Sequence, residues 1–428
     1  MTAKSFLFAT WEGGGSVAPM LTVARRMVAR GHRVRVMSDA CNRACAEAIG
    51  AEFVPWTRAP SRPDRDPASD PVRDWEHEGP AGLVQVIAKM WMGPALDYAR
   101  DVMAELRREP ADLVVTCEML FGVALGCEAA GQPFCYLAAN VSLFPMPGVP
   151  PLGPGLAPAR NDAERALHAE IAGGVVALFD SGLPALNAAR AELGLSPLAH
   201  ALDQAEAACG TLLATARAFD FAPDVLPPGV RYVGPQLDQP TWAQPWTDPF
   251  EAGDERPLVL AAFSTTFQNH DQVLQRLIDA AAPLPVRLLV TLGGSVPASA
   301  LRPAANCRLV DSAPHDAVMA QAALVVTHGG HGTVARALTH RLPLLVVPHG
   351  RDQNDNAVRV TERGAGLSLP AAATTDDLQA ALRRLLGGPS FAKAAAALGE
   401  AVARETAESP IVEALEALVP VREACCAA

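Results

Sequence analysis

Two turns in the chain carry residue types from which anion and sugar chemistry can be built. The first, His328-Gly329-Gly330-His331-Gly332-Thr333, follows the apolar run Ala323-Leu324-Val325-Val326-Thr327, which reads as a buried strand, and precedes a helical stretch from Val334 to His340. Strand, glycine-rich turn and helix is the arrangement in which backbone N–H groups and a helix N-terminus face an anion. Glycines let the backbone approach a phosphate closely, and Thr333 adds a hydroxyl. A histidine at the strand end adds a donor, or a positive charge if its pKa is raised. The second turn follows the strand Leu344 to Val347: Pro348-His349-Gly350-Arg351 leads to Asp352 and Gln353, which open another helix. An acid beside an amide suits a polyhydroxylated ligand, because each side chain can hold two neighbouring hydroxyls. Diphosphate beside sugar is the reading.

At these residues the chain resembles the UDP-glycosyltransferase-like family of GT-B enzymes, specifically its bacterial natural-product branch. The family signature has the form His-x-Gly-x-x-[Ser/Thr], then Gly-x-Pro, then Pro-x-x-x-Asp-Gln. It appears here as His328 to Thr333, Leu342-Pro343 (with Arg341 where the glycine would stand) and Pro348 to Gln353. The resemblance extends to Ser312-Ala313-Pro314-His315, where the family carries a Pro-Gln or Pro-His beside the nucleobase, and to Gly15-Ser16-Val17-Ala18-Pro19 with Arg30-Gly31-His32-Arg33-Val34. It implies two facing Rossmann-like domains, with a donor site in the second. Ser312, Ala313 and His315 would lie at the nucleobase, His328, Gly330, Gly332, Thr333 and Thr266 around the diphosphate, and Asp352 and Gln353 on the sugar. It also implies inversion at the anomeric carbon, a UDP- or TDP-linked donor as co-substrate, and neither cofactor nor metal.

Several positions depart from that pattern. Where the family has a base histidine in a Gly-His-x-x-Pro turn, this chain has Ser16, and the partner aspartate's position falls at Cys117, beside Glu118. Serine is a poor base at neutral pH unless another group activates it. Glu12, in the same loop as Ser16, is the first candidate base, and Glu118, at the carboxyl edge of the sheet, the second; burial could raise either toward the working pH. Arg336 stands where relatives often have a ribose-binding glutamate, so it either pairs with a phosphate or leaves the ribose to be held elsewhere. Ser312 replaces an aromatic residue that many relatives stack on the base. Ser264-Thr265-Thr266 follows the first strand of the second domain, where hydroxyls could meet the diphosphate or cap a helix starting near Asn269.

Rival readings are weaker. Gly13-x-Gly15-x-x-Ala18, with Asp39 ending the next strand, fits a dinucleotide fingerprint formally, but a nicotinamide enzyme leaves the second domain's phosphate turn unexplained. Asp64-Arg65-Asp66 resembles a metal-binding Asp-x-Asp but lies in a loop without partners. A sugar-nucleotide 2-epimerase shares the architecture, and a non-catalytic partner protein is consistent with the missing histidine. The lone histidines His32, His168, His200 and His340 read as surface or core residues.

Composition narrows the field. The chain has 428 residues, half of them hydrophobic and 19% charged, as a folded protein of two or three domains does. A net charge of −11 argues against nucleic acid as a partner. The nine cysteines form neither a metal set nor a disulfide framework and fit a reducing cytoplasm. No apolar run approaches the ~18 residues of a membrane span, and Met1 to Thr10 does not read as a secretion signal.

Strands at Phe6 to Ala9, Val34 to Met37, Leu113 to Thr116 and Phe134 to Ala138, with a helix from Val17 to Ala29, predict a doubly wound α/β domain with a parallel sheet. Arg58 to Pro80 reads as a loop, and Leu83 to Arg108 and Asn161 to Leu193 as helices separated by the proline-glycine run Pro145 to Pro158. The second unit starts at Leu258 to Phe263 and continues through Val286 to Leu292. We expect an acceptor-binding domain at 1–235, a linker at 236–257, a nucleotide-sugar domain at 258–390, and helices at 391–428 packing back on the first domain. The acceptor, small, hydroxylated and largely apolar, would meet Glu12 to Ser16, Trp91, Glu118 and Phe144 to Pro151. The activity implied is that of a hexosyltransferase of secondary metabolism.

Overall fold

The computed structural model describes residues 3–73, 76, 77, 80–237, 246–264, 268 and 270–420. Its strands form two parallel sheets. The first contains β1 (Ser5–Ala9), β2 (Arg33–Ser38), β3 (Glu52–Pro55), β4 (Leu113–Thr116), β5 (Phe134–Ala138), β6 (Thr211–Leu213) and β7 (Val230–Tyr232), in the order β3-β2-β1-β4-β5-β6-β7. The second contains β8 (Leu258–Ala262), β9 (Arg287–Thr291), β10 (Cys307–Val310), β11 (Ala322–Thr327), β12 (Leu344–Val346) and β13 (Gly366–Ser368), in the order β10-β9-β8-β11-β12-β13. In each sheet the chain first builds outward on one side, then returns past its first strand to build on the other. The carboxyl ends of β1 and β4, and of β8 and β11, therefore flank a crevice where no crossover helix lies, the place where such sheets bind ligands.

The central strands are apolar throughout because helices cover both sheet faces. These helices are α1 (Val17–Ala29), α2 (Arg43–Ala48), α3 (Pro80–Val86), α4 (Ala95–Arg108), α5 (Phe121–Ala130), α6 (Asp162–Asp180) and α7 (Leu183–Glu192) in the first half. The second half has α8 (Asp271–Ala281), α9 (His315–Met319), α10 (His331–Thr339), α11 (Gln353–Glu362), α12 (Thr375–Gly387), α13 (Pro389–Ala407) and α14 (Ile411–Leu418).

Two stretches that periodicity reads as continuous helices, and the terminal helical stretch, are broken, each by glycine or proline. Leu83 to Arg108 divides into α3, a π-turn at Ile87–Trp91 and α4, because Pro94 lacks an N–H and disfavours helical backbone at Gly93. Asn161 to Leu193 breaks at Ser181-Gly182, with Pro184 in the first turn of α7, and the terminal stretch breaks at Ser409-Pro410. The short strands β3, β6, β7, β10 and β13 have too few residues for a periodic signal.

The halves are tied at several points. Ile411 and Leu415 of α14 are fully buried in the core of the first sheet; a buried leucine of this kind contributes about 1.5–3 kcal/mol. Lys4 Nζ donates to the Glu416 carbonyl at 2.8 Å, and His32 Nε2 lies 2.9 Å from Glu416 Oε1. In the other direction Ala216 and Phe219, just beyond β6, pack into the core of the second sheet. Behind them Asp220 Oδ1 accepts from Arg359 Nε of α11 at 2.8 Å, and Asp220 Oδ2 accepts from Tyr232 Oη at 2.7 Å.

Candidate active site

The glycine turn after β11 is shaped by close contact. Gly329 has φ +101, and a Cβ there would lie 2.8 Å from the Val346 side chain and 3.1 Å from the Gln353 carbonyl, so only glycine lets this backbone pass. A Cβ at Gly330 would stand 2.7 Å from His328 Nε2. Helix α10 begins at His331 rather than Val334, which brings Gly332 and Thr333 into its first turn, and nothing lies within 4 Å of where a Gly332 Cβ would be. The start of α10 therefore has room beside Gly332 for a ligand, and a helix N-terminus carries the partial positive charge that favours an anion. Burial holds the His328 imidazole down at about 3, reinforced by His349 and Arg351. In these surroundings the ring is neutral and can serve as a donor or an acceptor.

In the second turn Asp352 Oδ2 accepts from Asn356 Nδ2 at 2.9 Å and from Asn140 Nδ2 at 3.2 Å. Asn140 belongs to the first half, beyond β5, so this contact spans the crevice. Gln353 is buried: its Oε1 accepts from the His349 N–H at 2.7 Å, and its Nε2 donates to Gln268 Oε1 at 2.9 Å. Its amide braces the loop with one of its two N–H donors and one of its oxygen's two lone pairs. Sequence reasoning missed Asn356, whose Nδ2 also donates to the Gly329 carbonyl at 2.9 Å and so joins the two turns. Its place one helical turn after Asp352 was the available signal. It also missed His331, whose Nε2 lies 2.8 Å from Thr215 Oγ1 in the first half.

Ser312 is exposed, Ala313 is half-buried, and His315 opens α9 with Nε2 3.5 Å from Thr291 Oγ1; burial pushes His315 down to about 4. Arg336 is ion-paired with Asp316, which His340 also approaches at 3.0 Å. Arg336 therefore ties α10 to α9. Thr266 lies outside the described residues, as does Thr265.

Of the candidate bases, Glu118 follows β4 at the first crevice and is 2% exposed. Its Oε1 accepts from the Leu143 N–H at 3.3 Å. Burial pushes its carboxyl up to about 7, and the like charge of Asp352 across the crevice adds to that. Neighbouring Cys117 is a buried thiol pushed up to about 12, so it stays neutral. Near this edge Trp11 and Trp91 meet edge to face at 6.3 Å, Trp91 stacks on Phe179 at 6.0 Å, and Phe144 and Met119 pack against the same apolar cluster. Trp11 Nε1, Trp91 Nε1, Ser16 Oγ and Thr116 Oγ1 are buried without hydrogen-bond partners among the described residues. An apolar wall with a few polar atoms is what a small lipophilic ligand needs.

Glu12 is differently placed. Its Oε1 accepts from the Gly14 N–H at 3.3 Å, and its Oε2 lies 3.1 Å from Arg65 Nε. Asp39 takes the Glu12 N–H on one oxygen and the Arg62 N–H on the other, each at 2.8 Å, which leaves the dinucleotide reading without its ribose acid. Ser16 is the residue before α1, and its side chain makes no capping bond. Asp66 caps a short turn at Pro67–Ser69, and no group of three or more His, Cys, Asp or Glu side chains among the described residues could hold a metal ion.

Two facing parallel sheets, each with its crevice at the carboxyl ends, define the GT-B architecture. Comparison with known proteins agrees. Residues 275–418 match the C-terminal domain family described as erythromycin biosynthesis protein CIII-like. The chain is 30% identical to 4'-demethylrebeccamycin synthase of Lentzea aerocolonigenes, over 96% of this chain and 99% of that one. Among solved structures, the glycotransferase of kitacinnamycin has a TM-score of 0.77 at 21% identity, covering 98% of this chain and 100% of the other. The glycosyltransferase VinC, solved with DTDP, has a TM-score of 0.62 at 22% identity, covering 97% and 98%. The chain belongs to the GT-B glycosyltransferases of natural-product biosynthesis. No single helix among its described residues is long and apolar enough to cross a membrane.

Proposed function

We propose that the enzyme moves a sugar from a TDP- or UDP-linked donor to a small, largely apolar, hydroxylated acceptor, with inversion and without a metal, and that Glu118 is the general base. The observation that carries this reading is the Glu118 carboxyl, buried at the first crevice, within the electrostatic reach of Asp352, and pushed up to about 7. The acceptor hydroxyl gives its proton to Glu118 as its oxygen forms the bond to the anomeric carbon. The bond from that carbon to the diphosphate breaks, and the diphosphate leaves with the electron pair. Neutral His328, the N–H groups of Gly330 and Gly332 at the start of α10 and the Thr333 hydroxyl stabilise the departing charge in place of a metal ion. Asp352 and Gln353 hold sugar hydroxyls, and Ser312, Ala313 and His315 border the nucleobase. The DTDP bound to VinC makes thymidine diphosphate the first nucleotide to test. The described cysteines are free thiols, which supports a reducing cytoplasm as the place of action.

A panel of TDP- and UDP-sugars offered with phenolic and macrolide acceptors, with and without EDTA, tests the reading. Transfer that survives chelator and gives a product of inverted anomeric configuration by NMR is expected. Activity abolished by EDTA and restored by magnesium or manganese would refute the metal-free account of the leaving group. Saturable nucleotide binding with no transfer to any acceptor would refute the enzyme reading itself.

A further inference from the structure

We propose that His270 is a further diphosphate-binding residue, completing with His328 and His349 a three-imidazole cradle for the leaving group at the second crevice. The topology brings these residues together. Strands β8, β11 and β12 are consecutive neighbours in the sheet, and a histidine follows the carboxyl end of each. His270 stands at the N-terminus of α8, an 11-residue helix, His328 directly follows β11, and His349 lies in the turn after β12. The ring centroids of His270 and His349 are 4.5 Å apart, those of His270 and His328 5.7 Å, and Phe263 lies 5.2 Å from His270.

The hydrogen bonding of the three rings differs. His349 Nδ1 lies 2.9 Å from the Val347 carbonyl, and His328 Nδ1 lies 3.4 Å from Thr327 Oγ1. His270 is 1% exposed, and neither of its ring nitrogens has a hydrogen-bond partner among the described residues. A buried polar atom left so costs about 1–3 kcal/mol, and in a native protein such an atom calls for a reason. Core packing supplies none, since phenylalanine would fill the same space without the cost. Donation of a ring N–H to a phosphate oxygen does supply one. Charge points the same way: the Arg351 and Arg276 guanidiniums act on this cluster, and the N–H groups at the start of α8 add their partial positive charge. Burial pushes His270 down to about 2, so the ring takes part as a neutral donor.

The inference rests on the donor reading above, and its test separates the two. Titration calorimetry on the full-length enzyme compares TDP, inorganic pyrophosphate and thymidine. His270→Phe is expected to weaken TDP and pyrophosphate by about 10- to 100-fold, the worth of a hydrogen bond to a charged group, and to leave thymidine unchanged. Its Tm should be equal to or above that of the wild type, because an apolar ring replaces two unbonded polar atoms. His270→Gln, whose amide can donate, should recover part of the loss and carries the test if the Phe variant does not fold. Unchanged TDP affinity in His270→Phe overturns the assignment, as does an equal loss for thymidine, which would mark a role in holding the whole domain. A wild-type enzyme that binds no nucleoside diphosphate overturns the donor reading and this inference with it.

Discussion

The two halves share one strand order around their first strands, yet their crevices carry opposite chemistry. A glycine turn borders each crevice, after β1 in the first half and after β11 in the second. In the first, the N–H of Gly14 faces the carboxylate of Glu12, and the N–H of Glu12 faces Asp39. The chain's own acids occupy the place an anion would take. In the second, the turn opens on free space at Gly332 and is bordered by imidazoles and Arg351. The fold sets where a ligand can bind, and the side chains at the strand ends decide its charge. A dinucleotide fingerprint in the first half therefore means little, whereas the glycine turn in the second points to a phosphate.

The strongest test of this contrast is Glu118→Gln. A general base contributes about 10²–10⁴-fold, so kcat should fall by that order while the Kd for TDP stays unchanged. The carboxyl works deprotonated, so wild-type turnover should decline as pH falls below about 7, and that limb should vanish in the variant. Stability moves the other way. A carboxyl pushed up by burial contributes stability fully present below its unfolded value near ~4.3, and that contribution is lost as pH rises through about 7. Glu118→Gln should therefore raise Tm relative to wild type above pH 7. Lost turnover with gained stability marks a residue kept for chemistry; a variant of normal kcat would overturn Glu118 as the base.

Next in size is the tie between the halves. Asp220→Ala leaves Arg359 buried without its carboxylate partner and removes the acceptor of Tyr232 Oη. Breaking such a pair costs about 3–5 kcal/mol. A lower midpoint in urea, together with a raised KM for the acceptor, is expected if this tie also sets the width of the crevice. A cycle with Arg359→Ala checks the pairing, because the double variant should lose much less than the sum of the single losses.

Much of this contrast was legible before any coordinates. The apolar runs of β1, β4, β5, β8, β11 and β12 announce buried parallel strands, and the residues of both donor turns stand in consecutive order. The cross-connections were not legible. Nothing local links Asn140 to Asp352, Thr215 to His331 or Asp220 to Arg359, since each pair joins residues brought together only by folding. His270 escaped notice for a related reason: it becomes informative only when two other histidines, from strands far apart in sequence, are seen beside it. The surroundings of the two carboxylates were equally hidden, since Glu12 lies near Ser16 in sequence but its oxygens turn toward Arg65 and Gly14.

That last point sets the smallest expected effect and the closing test. Glu12→Gln removes a charge whose Oε2 lies 3.1 Å from Arg65 Nε, and the Arg65 side chain is 53% exposed. The Glu12 side chain is only 6% exposed, so the half-buried pair is worth roughly 1.5–3 kcal/mol, the range for a hydrogen bond to a charged group, and the amide oxygen of glutamine can still accept from the Gly14 N–H. Stability should change by no more than that. The value of kcat should stay within about threefold of wild type, since a base worth ~10²–10⁴-fold is still in place, and the pH–rate profile should superimpose on the wild-type curve. A Glu12→Gln enzyme that loses turnover a hundredfold and loses its acidic limb, beside a Glu118→Gln enzyme that loses neither, would exchange the two assignments. The carboxylates of the glycine turn would then be chemistry rather than scaffolding, and the contrast between the two crevices would lie in which acid each turn presents to its ligand.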